Sequence, residues 1–552
     1  MFGIVFALFM ALAWYFAWPT YMVVGITVAL LFFQYLISPL LIGWIYRIDW
    51  MSKEEVKRQL PHLHEIIKKV CQEHKIKYPR FGLIHDGNPN AFTFGWTKNS
   101  ARLVITTGIL DLLDEREQKA VVGHELGHVV HNDFVVMTFV SAIPVVCYAI
   151  YQGTLRSRRF SRVSHDNEKG AAAIIAVGVI AYIAYLISQF LALMVSRIRE
   201  YWADNFSAQQ TGDPGDLSMA LVKIAYGLAR SDDVSHSEQK EKAYSRVHAA
   251  KALGIFDRRA ASILAFTSLG ASGVFSPDTI QKAAAWDLRN PWARYYELFS
   301  THPLPAKRIR ELNKTAEEWG LAPRIDLTRS DEVLEQQGAG KTLVDEFVVD
   351  LFFYALPLLI FLGLVGFTIW WIVDYLTAGR LAAWGIDLRE VWAVGIAFVG
   401  LAMVVKTRFK YGGGKDFKKA TVSDLVSSVK VSPIRPIPCK LEGKLIGRGV
   451  PGLVFSEDMV LQDSTGFITL DYDIGIGFIN TLFAIFKVDR LVGRRAKVKG
   501  WYRRAPVPYV QIDRIWVEGQ RFRNFKKHLS YALAFFVCAF GLAMLIVPLI
   551  FA

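Results

Sequence analysis

The chain has 552 residues, 53% of them hydrophobic and 21% charged, with a mean hydropathy of +0.27 and a net charge of +14. That length exceeds one hydrophobic core, and that composition excludes an ordinary soluble enzyme in favour of a multi-pass membrane protein with attached domains. Most Lys and Arg residues flank apolar runs, so the basicity reads as membrane topology, and the four scattered cysteines exclude a disulfide framework or a CxxC metal site.

Residues 1–46 carry no charge and are long enough for two transmembrane helices of about 20 residues each, joined at Trp18-Pro19-Thr20. They lack the basic start of a signal peptide. The basic exit (Arg47, Lys53, Lys57, Arg58) places residues 47–133 on the cytoplasmic side. From Ser52 to Glu73 apolar residues recur at helical spacing, behind a capping box of Ser52 and Glu55. Strand-like pieces follow at 80–85, 91–94 and 101–107. Acidic residues from Asp114 to Glu117 suit the start of a helix that runs through His131.

Residues 134–155 and 170–196 are charge-free and predict a membrane hairpin within 134–196. The loop between them carries Arg156, Arg158, Arg159, Arg162 and Lys169, at odds with an outside location, and leaves open whether both helices cross. Helical patterns at 197–213, 216–228, 238–253 and 299–319 make up the rest of a domain ending near 327. A polar linker is expected at 328–350. Its Gly340-Lys341-Thr342 is not a phosphate loop, because Glu335 stands where the first Gly belongs. Two further spans lie within 351–405, then a basic linker at 406–430 with a Gly412-Gly413-Gly414 joint. Strand patterns at 439–446, 453–461, 467–472, 495–502 and 509–517 predict a small β-barrel of the OB type within 431–520. Its basic residues (Arg494, Arg495, Lys497, Arg503, Arg504) suit anionic lipid better than nucleic acid. A final span occupies 529–552, for a total of up to seven.

The chemistry centres on His124-Glu125-Leu126-Gly127-His128. Four residues apart on a helix, the two imidazoles project from one face and can share one Zn²⁺ ion, with Glu125 beside it as a candidate general base. A catalytic zinc needs a third protein ligand and an open position for water. Glu200 is the best candidate. Asp204, one turn further on, would accept the second N–H of a liganding imidazole. Like charges at that spacing repel, so a cation between Glu200 and Asp204 is the economical explanation.

These runs, with Thr301-His302-Pro303, Arg308-Ile309, Asn90-Ala91-Phe92 and Val104 to Gly108, resemble the HtpX-type membrane zinc metalloproteases, relatives of the CAAX prenyl proteases. The resemblance covers about residues 1 to 320 and leaves 351–552 as an added module. It implies one catalytic zinc on His124, His128 and Glu200, and water activation by Glu125. It also implies that His302 and Arg308 lie near the tetrahedral intermediate. From the residues alone, a His-Pro turn is more often a helix cap.

An edge strand at 101–107, or at 91–94 with Asn90, Ala91 and Phe92, is expected to bind extended peptide by main-chain hydrogen bonds. The expected protein is therefore a mainly α, multi-pass zinc endopeptidase with a small β-sheet and an OB-like barrel. It would sit in the cell (inner) membrane, active site toward the cytoplasm, and cut unfolded or damaged membrane proteins. Two alternatives stand beside this: a processing protease for a defined lipidated or membrane peptide, and a membrane scaffold with structural zinc. Nothing in the sequence sets the oligomeric state.

Overall fold

The computed structural model describes residues 2–16, 18–161, 168–227, 277–330, 332, 335, 342–377, 387–412, 416–505 and 507–551. The helix expected at 238–253, the loop centre at 162–167, Gly340-Lys341 and Gly413-Gly414 lie outside these residues. Helix α1 (Phe2–Tyr15) has 14 residues, about 21 Å at 1.5 Å per residue, and falls short of a hydrocarbon core of roughly 30 Å. Of the two N-terminal spans expected, α2 (Thr20–Ile45) is long and apolar enough to cross among the described residues.

Next come β1 (Asp49–Met51), α3 (Lys53–Gln59) and α4 (Pro61–Glu73). The single helix expected from Ser52 to Glu73 is thus two. Pro61 lacks the N–H a continuous helix needs, although the Ser52–Glu55 capping box forms as expected. Strands β2 (Arg80–Ile84), β3 (Ala91–Phe94) and β4 (Arg102–Thr106) complete a four-stranded sheet in the order β1-β2-β4-β3, followed by α5 (Thr107–Leu112) and α6 (Glu115–Val130). Strand β4 is central and buried on both faces. Leu103 and Ile105 pack with Leu63, Ile67, Val122 and Leu126 of the helices, whereas Val104 packs with Ile84 and Phe94 beside Ile42 and Tyr46. The outer strand is therefore β3.

Helix α7 (Asp133–Ser161) leaves this layer and α8 (Glu168–Thr211) returns. Tyr148 meets Tyr185 and Tyr151 meets Tyr182, the register of an antiparallel hairpin. The span and the polar helix expected after it are one continuous rod of 44 residues. Then follow α9 (Pro214–Tyr226), α10 (Pro277–Arg289), α11 (Pro291–Leu298) and α12 (Pro305–Glu318).

Helix α13 (Thr342–Thr377) begins within the linker expected at 328–350, and α14 (Leu388–Lys410) extends the shorter span expected after it. Asp350, expected in that linker, is buried and accepts hydrogen bonds from Ser432 and Arg435. The basic linker is itself part-folded, into β5 (Lys418–Lys419) and α15 (Val422–Val426). Strands β6 (Ile437–Arg448), β7 (Met459–Gln462) and β8 (Phe467–Asp471) lead to α16 (Gly477–Phe483) and a π-helical turn at Ala484–Val488. Strands β9 (Arg495–Arg504), β10 (Pro508–Val517) and β11 (Gln520–Arg523) and helix α17 (Lys526–Phe551) end the chain.

Strands β6, β7, β8, β10 and β9 pair in that order and β9 returns to β6, closing a five-strand barrel with one parallel pair, β8 and β10. Among the described residues six helices are long and apolar enough to cross a membrane: α2, α7, α8, α13, α14 and α17. Helices α14 and α17 approach closely through small residues. A Cβ at Gly400 would lie 2.3 Å from the Cys538 nitrogen, and one at Gly541 would lie 2.4 Å from the Ala397 nitrogen. The polar ends of α2, α13, α14 and α17 meet the sheet or the barrel, and those of α7 and α8 meet α6, so both folded units adjoin the same ends of the spans.

The barrel is not a loosely tethered module. One apolar core runs from α9, α10 and α12 into the barrel strands. At its centre Arg504, fully buried, pairs with Asp287 at 3.1 Å and lies over the Trp286 ring. It also donates to the Val426 and Ala283 carbonyls, while Tyr226 donates to Asp287 at 2.7 Å. Removing one partner of a buried ion pair costs about 3–5 kcal/mol. Asp287→Ala should therefore lower the melting temperature measured in detergent and loosen the barrel to limited proteolysis. Replacing both residues, as D287L with R504M, should recover most of the loss.

Candidate metal centre

Helix α6 starts at a full capping box. The Asp114 carboxylate accepts the backbone N–H groups of Arg116 and Glu117, and Glu117 accepts that of Asp114, all at 2.9 Å. Such a cap is worth about 1 kcal/mol. Val122, Leu126 and Val129 anchor one face in the core, which turns His124 and His128 to the opposite side. The glycines of the motif set how close α8 comes. A Cβ on Gly127 would stand 3.1 Å from Ala203 Cα, and one on Gly123 would stand 3.2 Å from Ser207 Oγ. Ser207 also donates to the Ala120 carbonyl at 2.5 Å.

This close crossing brings Glu200 of α8 against both rings. His124 Nε2 and His128 Nε2 are 3.2 Å apart, and they lie 3.6 and 3.5 Å from the Glu200 carboxylate oxygens. Ligands at about 2.1 Å from a tetrahedral cation are separated by about 3.4 Å, and one ligand atom from each of the three residues lies within 4.8 Å of the other two, so the cluster suits one ion with three protein ligands. The far side of each ring supports this. His124 Nδ1 donates to Asp204 at 2.9 Å and His128 Nδ1 to Asp133 at 2.6 Å. With both Nδ1 atoms carrying the proton, the two Nε2 atoms present lone pairs to each other, a contact that a shared cation makes favourable.

Each residue singled out in the sequence has a definite place. Asp204 is where the sequence puts it. The cation expected between Glu200 and Asp204 is corrected: it is the buried Arg308 guanidinium, bonded through Nε and one terminal nitrogen to Asp204 (2.8 and 2.5 Å) and 3.3 Å from Glu200 through the other. Arg308 is thus committed to the carboxylates of Asp204 and Glu200. His302 Nδ1 lies 2.8 Å from Glu200, and Arg197 of α8 steadies its loop by donating to the Glu297 and Ser300 carbonyls. Glu125 is half-buried, and its desolvation raises the carboxyl pKa above the usual range. Thr93 of β3 donates to it at 3.1 Å.

Asn90 is buried and locks the start of β3, its N–H bonded to Thr106 Oγ1 at 2.7 Å and its carbonyl to the Thr106 N–H at 2.9 Å. Ala91 and Thr93 face the helix layer, whereas Phe92 packs at a tilt against Tyr46 at the end of α2. Sequence spacing assigns no role to Asp133, Arg199, Arg197 or Thr93. Asp133 stands five residues after His128 and swings back only because Asn132 takes a left-handed conformation, φ 55°. Its other oxygen is then held by Arg199.

The profile of peptidase family M48 matches residues 57–316. A protein from Methanothermobacter thermautotrophicus described as "Protease HtpX homolog" is 40% identical over 199 residues, 36% of this chain and 71% of its own. Another of the same description, from Pyrobaculum calidifontis, is 30% identical over 299 residues, 54% of this chain and 79% of its own. The crystal structure of S. mikatae Ste24p aligns with 38% of this chain and 52% of that chain, at 19% identity and a TM-score of 0.27.

Because Asp133 fixes both the tautomer of His128 and the position of Arg199, Asp133→Asn should weaken divalent-metal binding by about 10–100-fold. Competition against a chromophoric chelator reads this directly. Unchanged affinity would remove Asp133 from the centre.

Proposed function

The chain belongs to the HtpX-type proteases of peptidase family M48 and is a multi-pass membrane protein, and on that premise we propose that it is a zinc-dependent endopeptidase acting on unfolded or damaged membrane proteins at the cytoplasmic face of the cell membrane. Two imidazoles and a carboxylate are a ligand set suited to zinc. Bound on His124, His128 and Glu200, Zn²⁺ supplies Lewis acidity that polarises a peptide carbonyl and acidifies water.

The protein's own groups do the rest. Glu125 takes the proton from the attacking water and delivers it to the leaving amide nitrogen. His302, anchored to Glu200 through Nδ1, has Nε2–H to donate to the oxyanion in its imidazolium form, an effect worth about 3–4 kcal/mol. Thr93 links Glu125 to the strand on which substrate is read. Arg308 keeps Asp204 and Glu200 ionised, so that Asp204 continues to orient His124.

One observation carries the choice of substrate. The outer strand β3 runs along the span α2: Phe92 packs on Tyr46 just past the helix end, and Trp96 Nε1 donates to the Leu36 carbonyl at 2.9 Å, about ten residues deeper. A peptide added to the open edge of β3 therefore lies beside the membrane, and its recognition by main-chain hydrogen bonds requires an extended, unfolded segment. The basic exits of α2 and α14 support a cytoplasmic location for this side.

Glu125→Gln should retain stoichiometric zinc in the purified protein while cleavage of an unfolded membrane substrate falls by at least about 100-fold, within the range set by loss of a general base. Cleavage at the wild-type rate would exclude Glu125 as the base. The same variant, used as a trap in membranes, should hold many unrelated polypeptides. A single captured species would replace quality control with processing of one defined substrate.

A further inference from the structure

We propose that residues 476–486, the helical insert of the barrel, lie in the lipid–water interface as a second, non-spanning membrane contact. The partner is the bilayer itself. Along this stretch Ile476, Phe478, Ile479, Leu482 and Phe486 are 37–71% exposed. From 478 onward they sit at i, i+1, i+4 and i+8, one stripe of a helix. The opposite stripe is committed to the barrel: Asn480, Phe483, Ala484 and Val488 are buried, and Phe483 stacks on Tyr472 at 4.0 Å. The exposed stripe is therefore fixed in direction and cannot turn inward.

What covers it follows from where its two ends are tied. Before the insert, Asp473 is paired with Lys526, the first residue of the span α17, and a Cβ at Gly475 would lie 2.8 Å from Leu529 one turn further on. Beyond the insert, Asp489 is paired at 3.6 Å with Arg47, which follows the end of the span α2. Two different spans thus meet the insert at the level where each enters the membrane, and the stretch between those points runs along the membrane plane. Phe525 and Leu529, 49% and 41% exposed, carry the apolar surface without a break onto the lipid-facing side of α17. Lys487 and Arg490 are exposed beside it, placed for anionic headgroups. The barrel is thereby held at a fixed height and tilt over the bilayer, beside the protease sheet it is fused to.

The test uses the full-length protein in vesicles of phosphatidylcholine and phosphatidylglycerol. Cys71, Cys147, Cys439 and Cys538 are replaced, and an environment-sensitive NBD label is placed on F478C, on F486C or on E518C in the exposed β10–β11 turn. Wild-type peptidase activity of each labelled protein certifies its fold. Lipids carrying a nitroxide high on the acyl chain should quench the labels at 478 and 486 at least twofold and leave 518 unchanged. Unquenched, water-like emission at 478 and 486 would overturn the proposal. So would quenching that vanishes as the protein-to-lipid ratio is raised, which would assign the stripe to a second copy of the chain.

Discussion

Two buried carboxylates one turn apart on a single helix, Glu200 and Asp204, set the terms for everything around the metal centre. Each costs several kcal/mol to take out of water unless positive charge or hydrogen-bond donors meet it. The fold brings those groups from three separate elements, the imidazoles of α6, Arg308 of α12 and His302 from the loop before it, and leaves space for a cation between His124, His128 and Glu200. Arg308 alone holds Asp204 with two nitrogens and reaches Glu200 with the third. The centre and the packing of α6, α8 and α12 are consequently one problem with one solution. A change that separates these helices exposes an unpaired charge as well as a weakened site.

The same helix that carries the carboxylates is a membrane span. At 1.5 Å per residue the 44 residues of α8 reach about 66 Å, roughly twice a hydrocarbon core, so its outer part is necessarily a rigid extension into the soluble layer. Helix α7 begins at Asp133, the residue that orients His128, and α2 ends against the sheet at Tyr46. The centre is therefore held by three spans at the level where they leave the bilayer.

The match to the family M48 profile ends at residue 316, yet the C-terminal half is built into the protease. Asp287 and Arg504 join α10 to β9 inside a common core, and Asn88, next to the outer strand, donates to the Arg448 and Gly449 carbonyls of the barrel. Removal of the barrel would uncover apolar surface on α9, α10 and α12 as well as an unpaired Asp287. Together with the interfacial insert, this makes the barrel a support for the protease layer against the bilayer.

Much of this was legible in the chain. Local, periodic signals fared best: the apolar runs, the capping box at Ser52, the acidic helix start at Asp114, four of the five barrel strands (the one expected at 453–461 begins only at Met459), and the i,i+4 pairs His124/His128 and Glu200/Asp204, because each depends on neighbours within a turn or on strand alternation. Errors fell where a boundary is set by something outside its own stretch. Pro61 split a helix whose apolar spacing continued through it. Helix α13 began early because Asp350 is stabilised by Ser432 and Arg435, more than 80 residues away. Only the tertiary structure decided that Arg308 stands between the carboxylates, that Asp133 holds His128 and Thr93 holds Glu125, and that β3 rather than β4 is the open edge. These follow from burial and long-range charge pairing, which compensate one another across helices distant in sequence and leave no periodicity in any one of them.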